Sequence, residues 1–184
     1  MKVSEADIII VPGLGNSEAE HWQSRWEAKL SNASRIIHPD FGKPSRALWV
    51  KAIVDAVDQA TRPVVLVAHS IGVAAVAHAA PQLGSLVAGA FLVALSDWNR
   101  PEVLPGLTHD FAPLPREPFP FPSMMVASRN DPYCDYEVAG DHANCWGSFL
   151  MDARESGHIN TDSGHGPWPE GTMIFARFIS GLKV

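Results

Sequence analysis

The sequence predicts an α/β protein: a mostly parallel, twisted sheet with helices on both faces. Short apolar runs rich in Val and Ile alternate from end to end with segments of helical periodicity. Such alternation implies parallel strands joined by helices that cover the sheet. The 184 residues, 46% hydrophobic and 18% charged, suit one domain spanning residues 1–184 with a substantial core. No internal repeat, low-complexity tract or linker interrupts them.

In chain order, residues 8–11 (IIIV) read as a buried strand ended by Pro12-Gly13. Residues 17–30 read as a helix opened by a Ser17-x-x-Glu20 capping box. A short strand is expected over 35–38. Residues 46–60 place Val50, Ile53, Val54 and Val57 at helical spacing. A strand over 64–67, a helix over 71–80 and a strand over 87–94 follow. The rhythm then breaks: residues 97–122 hold seven of the fifteen prolines and little periodicity. It resumes with strands over 124–127 and 148–151, a helix over 136–144 between them, and a last helix over 167–182 with Pro and Glu in its first turns.

Composition narrows the function. A formal charge of −6, without a Lys/Arg run, argues against nucleic acid and against an anionic membrane surface as partners. No stretch approaches the roughly 18 apolar residues of a membrane span. The N-terminal apolar run is too short for a signal peptide, so it is expected to begin the fold. Two cysteines, Cys134 and Cys145, are too few for a disulfide scaffold and suit a reducing cytoplasm. No His-Glu-x-x-His occurs, and His158 with His165 lacks further ligands, so neither metal nor cofactor is expected.

Sites in such sheets gather at the carboxyl ends of the strands. After Val67 comes Ala68-His69-Ser70-Ile71-Gly72. A serine raised on a tight strand-to-helix corner needs small neighbours two residues either side, because the backbones crowd there. Gly-x-Ser-x-Gly is the usual form, and Ala68 replaces its first glycine. The plainer alternative is a serine capping the helix.

A serine hydroxyl needs a base, and in this architecture the order serine, acid, histidine is expected. Asp131 lies in "SRNDPYC" after the strand over 124–127, and His158 in "ESGHIN" after the last strand. His165 ranks behind His158; Asp97 and Asp135 rank behind Asp131. His69 is expected to prop the turn. His21, His38, His78, His109 and His142 read as surface or structural. The amides of Ile71 and of Leu14, in the first glycine-rich loop "PGLGNS", are the candidate oxyanion donors. "PGLGNS" is too short, and lacks the lysine, for a phosphate loop. Trp98, Leu104, Phe111, Phe119 and Phe121 have two readings, an apolar acyl pocket or a loop pinned to the core. Trp22 and Trp26, one helical turn apart, read as core.

The stretches "VPGLGNSEAEHWQSRWE", "VLVAHSIG", "ASRNDPYC", "CWGSFLMDARESGHIN" and "SGHGPWPEG" span nearly the whole chain. Together they resemble the small serine hydrolases of the α/β-hydrolase superfamily that group YdeN-like bacterial proteins with retinoblastoma-binding protein nine. The resemblance implies a compact α/β-hydrolase fold with no large lid domain. It implies nucleophile, acid and base roles for Ser70, Asp131 and His158, and so a reaction class but no substrate. A small carboxylic ester is the expected small-molecule substrate, with amides and thioesters open to the same machinery. A binding module on a hydrolase scaffold, or acyl transfer to an acceptor other than water, is the alternative reading.

Overall fold

The computed structural model describes residues 1–38, 40–100, 102, 106–107 and 110–183. Six strands form one sheet: β1 (Asp7–Val11), β2 (Ala33–Arg35), β3 (Val64–His69), β4 (Val87–Val93), β5 (Ser123–Ala127) and β6 (Phe149–Asp152). Their order is β2-β1-β3-β4-β5-β6, and every pairing is parallel. Five helices connect and flank them: α1 (Trp22–Lys29), α2 (Arg46–Asp58), α3 (Ile71–Ala79), α4 (Tyr136–Trp146) and α5 (Pro169–Gly181). The expected parallel α/β architecture is therefore present.

Alternation along the strands sorts the core into two layers. Ile8, Ile10, Val65, Val67, Phe91 and Val93 face α1 and α5, where Trp22, Trp26, Phe175 and Phe178 meet them. Ile9, Val11, Leu66, Ala68 and Leu92 face α2, α3 and α4, with Trp49, Ile53, Val73 and Trp146. Burial on both faces explains why the central strands read as unbroken apolar runs.

Two boundaries differ from the sequence expectation. Helix α1 begins at Trp22, and the Ser17-x-x-Glu20 box does not form: Ser17 Oγ donates to Gln23 Oε1 at 2.7 Å instead. The helix is capped by His21, whose Nδ1 accepts from the Gln23 amide. Strand β2 lies at 33–35, not 35–38. It is an edge strand of mixed burial, so no apolar run marks it.

The order of the strands reverses between β1 and β3: the chain leaves β1 for β2 and returns through α2 to β3 on the other side. Loops diverge at such a switch point and open a crevice. Here Gln23, fully buried, spans the divergence. Its side-chain amide donates to the carbonyls of Val11 (3.2 Å) and Val67 (3.1 Å), the ends of both strands. Beside it α3 presses on the loop after β1. A Cβ at Gly72 would stand 2.5 Å from the Val11 carbonyl oxygen and 2.6 Å from that of Pro12.

Gly72→Ala should therefore destabilise the fold by about 1–3 kcal/mol, because rigid backbone must move to admit the methyl. Urea unfolding followed by tryptophan fluorescence measures it; an unchanged midpoint would show that α3 has room to withdraw.

Candidate active site

Ser70 is the residue between β3 and α3, with φ +58° and ψ −126°. This is a strained conformation for a residue with a side chain. Two contacts hold it. Its amide donates to the Val93 carbonyl at 3.0 Å, and the first loop packs on it so closely that a Cβ on Gly13 would lie 2.9 Å from Ser70 Cβ. Ala68, at the first-glycine position of the motif, is fully buried in β3 and paired with Leu92.

His158 Nε2 lies 2.9 Å from Ser70 Oγ, and His158 Nδ1 lies 2.9 and 3.0 Å from the two Asp131 oxygens. An ionised carboxylate only accepts, so Nδ1 carries the proton and Nε2 accepts from the serine hydroxyl. Both side chains of the His158–Asp131 pair are more than nine-tenths buried. Asp131 Oδ1 also accepts from the Tyr133 amide at 2.9 Å.

The loop bearing His158 is fixed on several sides. Gly157, at φ +56°, has Ser163 where a Cβ would go, so only glycine fits there. Its amide donates to Asn130 Oδ1 at 2.7 Å, next to Asp131. The next two carbonyls are claimed from below: His69 Nε2–H donates to that of His158 and Trp22 Nε1–H to that of Ile159, each at 2.9 Å. His69 is expected from the sequence to prop the serine turn; its ring instead supports the loop of His158 through that residue's backbone carbonyl.

A cleft of about 190 Å³ opens above these groups. Gly13, Leu14, Ser70 and Tyr133 line it, and so do Glu18, His21, Asn160 and Asp162, which sequence reasoning missed. They sit on a loop, at caps or in a single 3-10 turn, with no periodic signal to betray them. His21 and His69 line up beside His158, the first pair edge-on and the second tilted, with ring centroids 4.9 Å (His21–His69) and 4.8 Å (His69–His158) apart. Burial pushes His21 down to about 4 and His69 well below its ordinary value, so both are neutral at pH 7. The Thr161 hydroxyl donates to Glu18 and holds its carboxyl below the ordinary value.

The remaining candidates lie elsewhere. His165 Nδ1 contacts Ser163 Oγ, and its ring packs on Trp168. Asp97 accepts from the Asn99 amide, and exposed Asp135 pairs with Arg100. Leu14 is partly exposed on the cleft wall and Ile71 is the first residue of α3. The aromatic segment follows the second of its two readings: Trp98, Phe111 and Phe121 are buried in the core on the α2–α4 side, with Phe119 packed against it, and none lines the cleft. Leu104 and His109 lie outside the described residues. Among the described residues no group of three or more His, Cys, Asp or Glu side chains is placed to hold a metal ion, and no helix is long and apolar enough to cross a membrane.

Fold and site together define the α/β-hydrolase class. The serine hydrolase family profile matches residues 8–177, and the chain belongs to that family. Solved structures agree. A protein described as a YdeN-like hydrolase from Pectobacterium atrosepticum is 34% identical, with 96% of this chain and 92% of that one covered and a TM-score of 0.85. The ydeN gene product of B. subtilis is 18% identical over 95% of this chain and 99% of its own, with a TM-score of 0.78. The RedJ thioesterase of Streptomyces coelicolor, 13% identical over 96% and 91%, shares the fold with a TM-score of 0.65. No curated protein matches the chain.

Two outcomes follow from the backbone and the buried imidazoles. Ser70→Gly should be more stable than Ser70→Ala by about 1 kcal/mol, since glycine relieves the strained φ that alanine retains; paired urea titrations measure the difference. Stability should also fall with acid. His21 and His38 are each held near 4 by burial, against an ordinary 6.5. Between those values the unfolded chain binds protons that the folded chain refuses, so stability is complete above about pH 6.5 and declines towards pH 4. His38 stacks on Trp49 with a 3.8 Å centroid separation, and neither ring nitrogen has a hydrogen-bond partner among the described residues. His38→Phe should therefore flatten the decline, read as the urea midpoint against pH.

Proposed function

We propose that this serine hydrolase cleaves small carboxylic esters through an acyl-enzyme, with Ser70 as nucleophile, His158 as general base and acid, and Asp131 as the group that orients and stabilises the imidazole. The observation that carries the reading is the unbroken hydrogen-bond chain from Ser70 Oγ through both ring nitrogens of His158 to the Asp131 carboxylate. His158 takes the Ser70 proton as Oγ attacks the carbonyl carbon, then returns it to the departing alcohol. Water enters by the same steps in reverse and releases the acid.

The amides of Leu14 and Ile71 are the oxyanion donors in this reading. The first lies on the loop pressed against Ser70, and the second opens α3, where the helix dipole favours negative charge. The neutral state of His21 and His69 supports it further, because neither opposes the charge that His158 gains. The cleft holds the volume of about six waters, which favours short acyl groups. A reducing compartment suits the two free thiols, Cys134 and Cys145.

A fluorophosphonate probe should label Ser70 and no other residue, shown by mapping the modified peptide. Labelling should vanish in His158→Ala and persist in His165→Ala. Asp131→Asn should lower kcat by about 10⁴, as loss of the correct tautomer does in other triads. Near-full activity in Asp131→Asn would move the acid to Asp97.

A further inference from the structure

The nucleophile has one more neighbour. Ser96 Oγ lies 2.9 Å from Ser70 Oγ, and Ser96 is fully buried, so its hydroxyl has no access to solvent. The direction of that bond follows from counting protons. Asp131 only accepts, which puts the His158 proton on Nδ1 and leaves Nε2 as acceptor. Ser70 must then spend its single proton on Nε2. Its contact with Ser96 is made through a lone pair, and Ser96 is the donor.

We propose that Ser96 is a positioning residue for the nucleophile. Its hydroxyl fixes the Ser70 side chain in the rotamer that faces His158 and leaves the Ser70 proton no acceptor but Nε2. This assignment rests on the reading of Ser70 as nucleophile. As Oγ attacks, its proton passes to Nε2 while Ser96 keeps its own. In deacylation Oγ departs with the bonding pair and recovers a proton from His158, with the Ser96 donor already aligned on it.

The backbone around Ser96 is built for the task. The chain turns out of β4 through Ala94, at φ +53°, uncommon for a residue with a side chain. The turn is anchored on both sides of Ser96: the Ala94 amide donates to the Val126 carbonyl at 3.0 Å and the Asp97 amide to that of Tyr133 at 2.9 Å. Tyr133 belongs to the loop whose amide bonds Asp131. The same end of β4 accepts the Ser70 amide through Val93. One strand end therefore holds the nucleophile by backbone and by side chain, and ties both to the acid's loop.

The test compares Ser96→Ala, Ser96→Thr and Ser96→Val in the full chain. Thr and Val share a shape and differ only in the hydroxyl, so their difference removes any effect of the added bulk. The readouts are the rate of fluorophosphonate labelling at Ser70, kcat and KM for p-nitrophenyl acetate, and the melting temperature. Ala and Val should lower labelling rate and kcat about tenfold, the loss of one well-placed hydrogen bond. KM should move less than about twofold, as expected when an interaction acts at the reaction step, and Thr should recover most of the rate. Equal rates for Thr and Val, or an unchanged rate for Ala, would overturn the assignment. Parallel losses in kcat, KM and melting temperature would do the same, because they mark a merely structural hydroxyl. A wild-type chain that does not label at Ser70 would instead remove the nucleophile reading on which Ser96 depends.

Discussion

Three backbones meet at the switch point of the sheet with almost no space between them, and the rest of the molecule is arranged around that contact. Helix α3 touches the carbonyls at the end of β1 through Gly72, and the loop after β1 touches Ser70 through Gly13. A serine caught between them adopts a backbone conformation it would not choose alone. That strain is sustained by large apolar layers on both faces of the sheet and by the Gln23 side chain bridging the two strand ends. The outcome is a tight corner that brings the Ser70 hydroxyl to the floor of the cleft.

The charge arrangement follows the same economy of contacts. Three imidazoles lie in a row, and His158 is the one hydrogen-bonded to a buried carboxylate. Burial keeps the other two neutral, so they behave as polar spacers whose nitrogens serve the backbone: His21 caps α1 and His69 supports the carbonyl of His158. In the proposed mechanism, where His158 gains a positive charge, neutral neighbours do not oppose it.

How much of this was legible in the sequence varied with the physics involved. The central strands and α2, α3 and α5 were legible because each buries a periodic face or lies buried throughout. Ser70, Asp131 and His158 were legible because strand ends, chain order and small flanking residues constrain where such groups stand. The start of α1 was not: Ser17 and Glu20 carry the cap pattern, but the buried side-chain amide of Gln23, six residues on, claims the Ser17 hydroxyl. Ser96 was silent for a similar reason, since a serine one turn beyond a strand looks like any loop residue until the fold brings it to Ser70. Glu18, Asn160 and Asp162 meet in the cleft only because distant loops converge there.

The bond from the Trp22 indole to the Ile159 carbonyl has an optical consequence. Trp22 is fully buried, and its ring lies 4.8 Å from that of Trp26 and 5.1 Å from that of Trp168, centroid to centroid. The three indoles form one cluster, close enough for excitation to pass between them. One of its members, Trp22, is hydrogen-bonded to the carbonyl of Ile159, the residue after His158. The protein's intrinsic emission therefore carries a label-free record of the His158 loop, and any displacement of that loop is written into the ultraviolet spectrum.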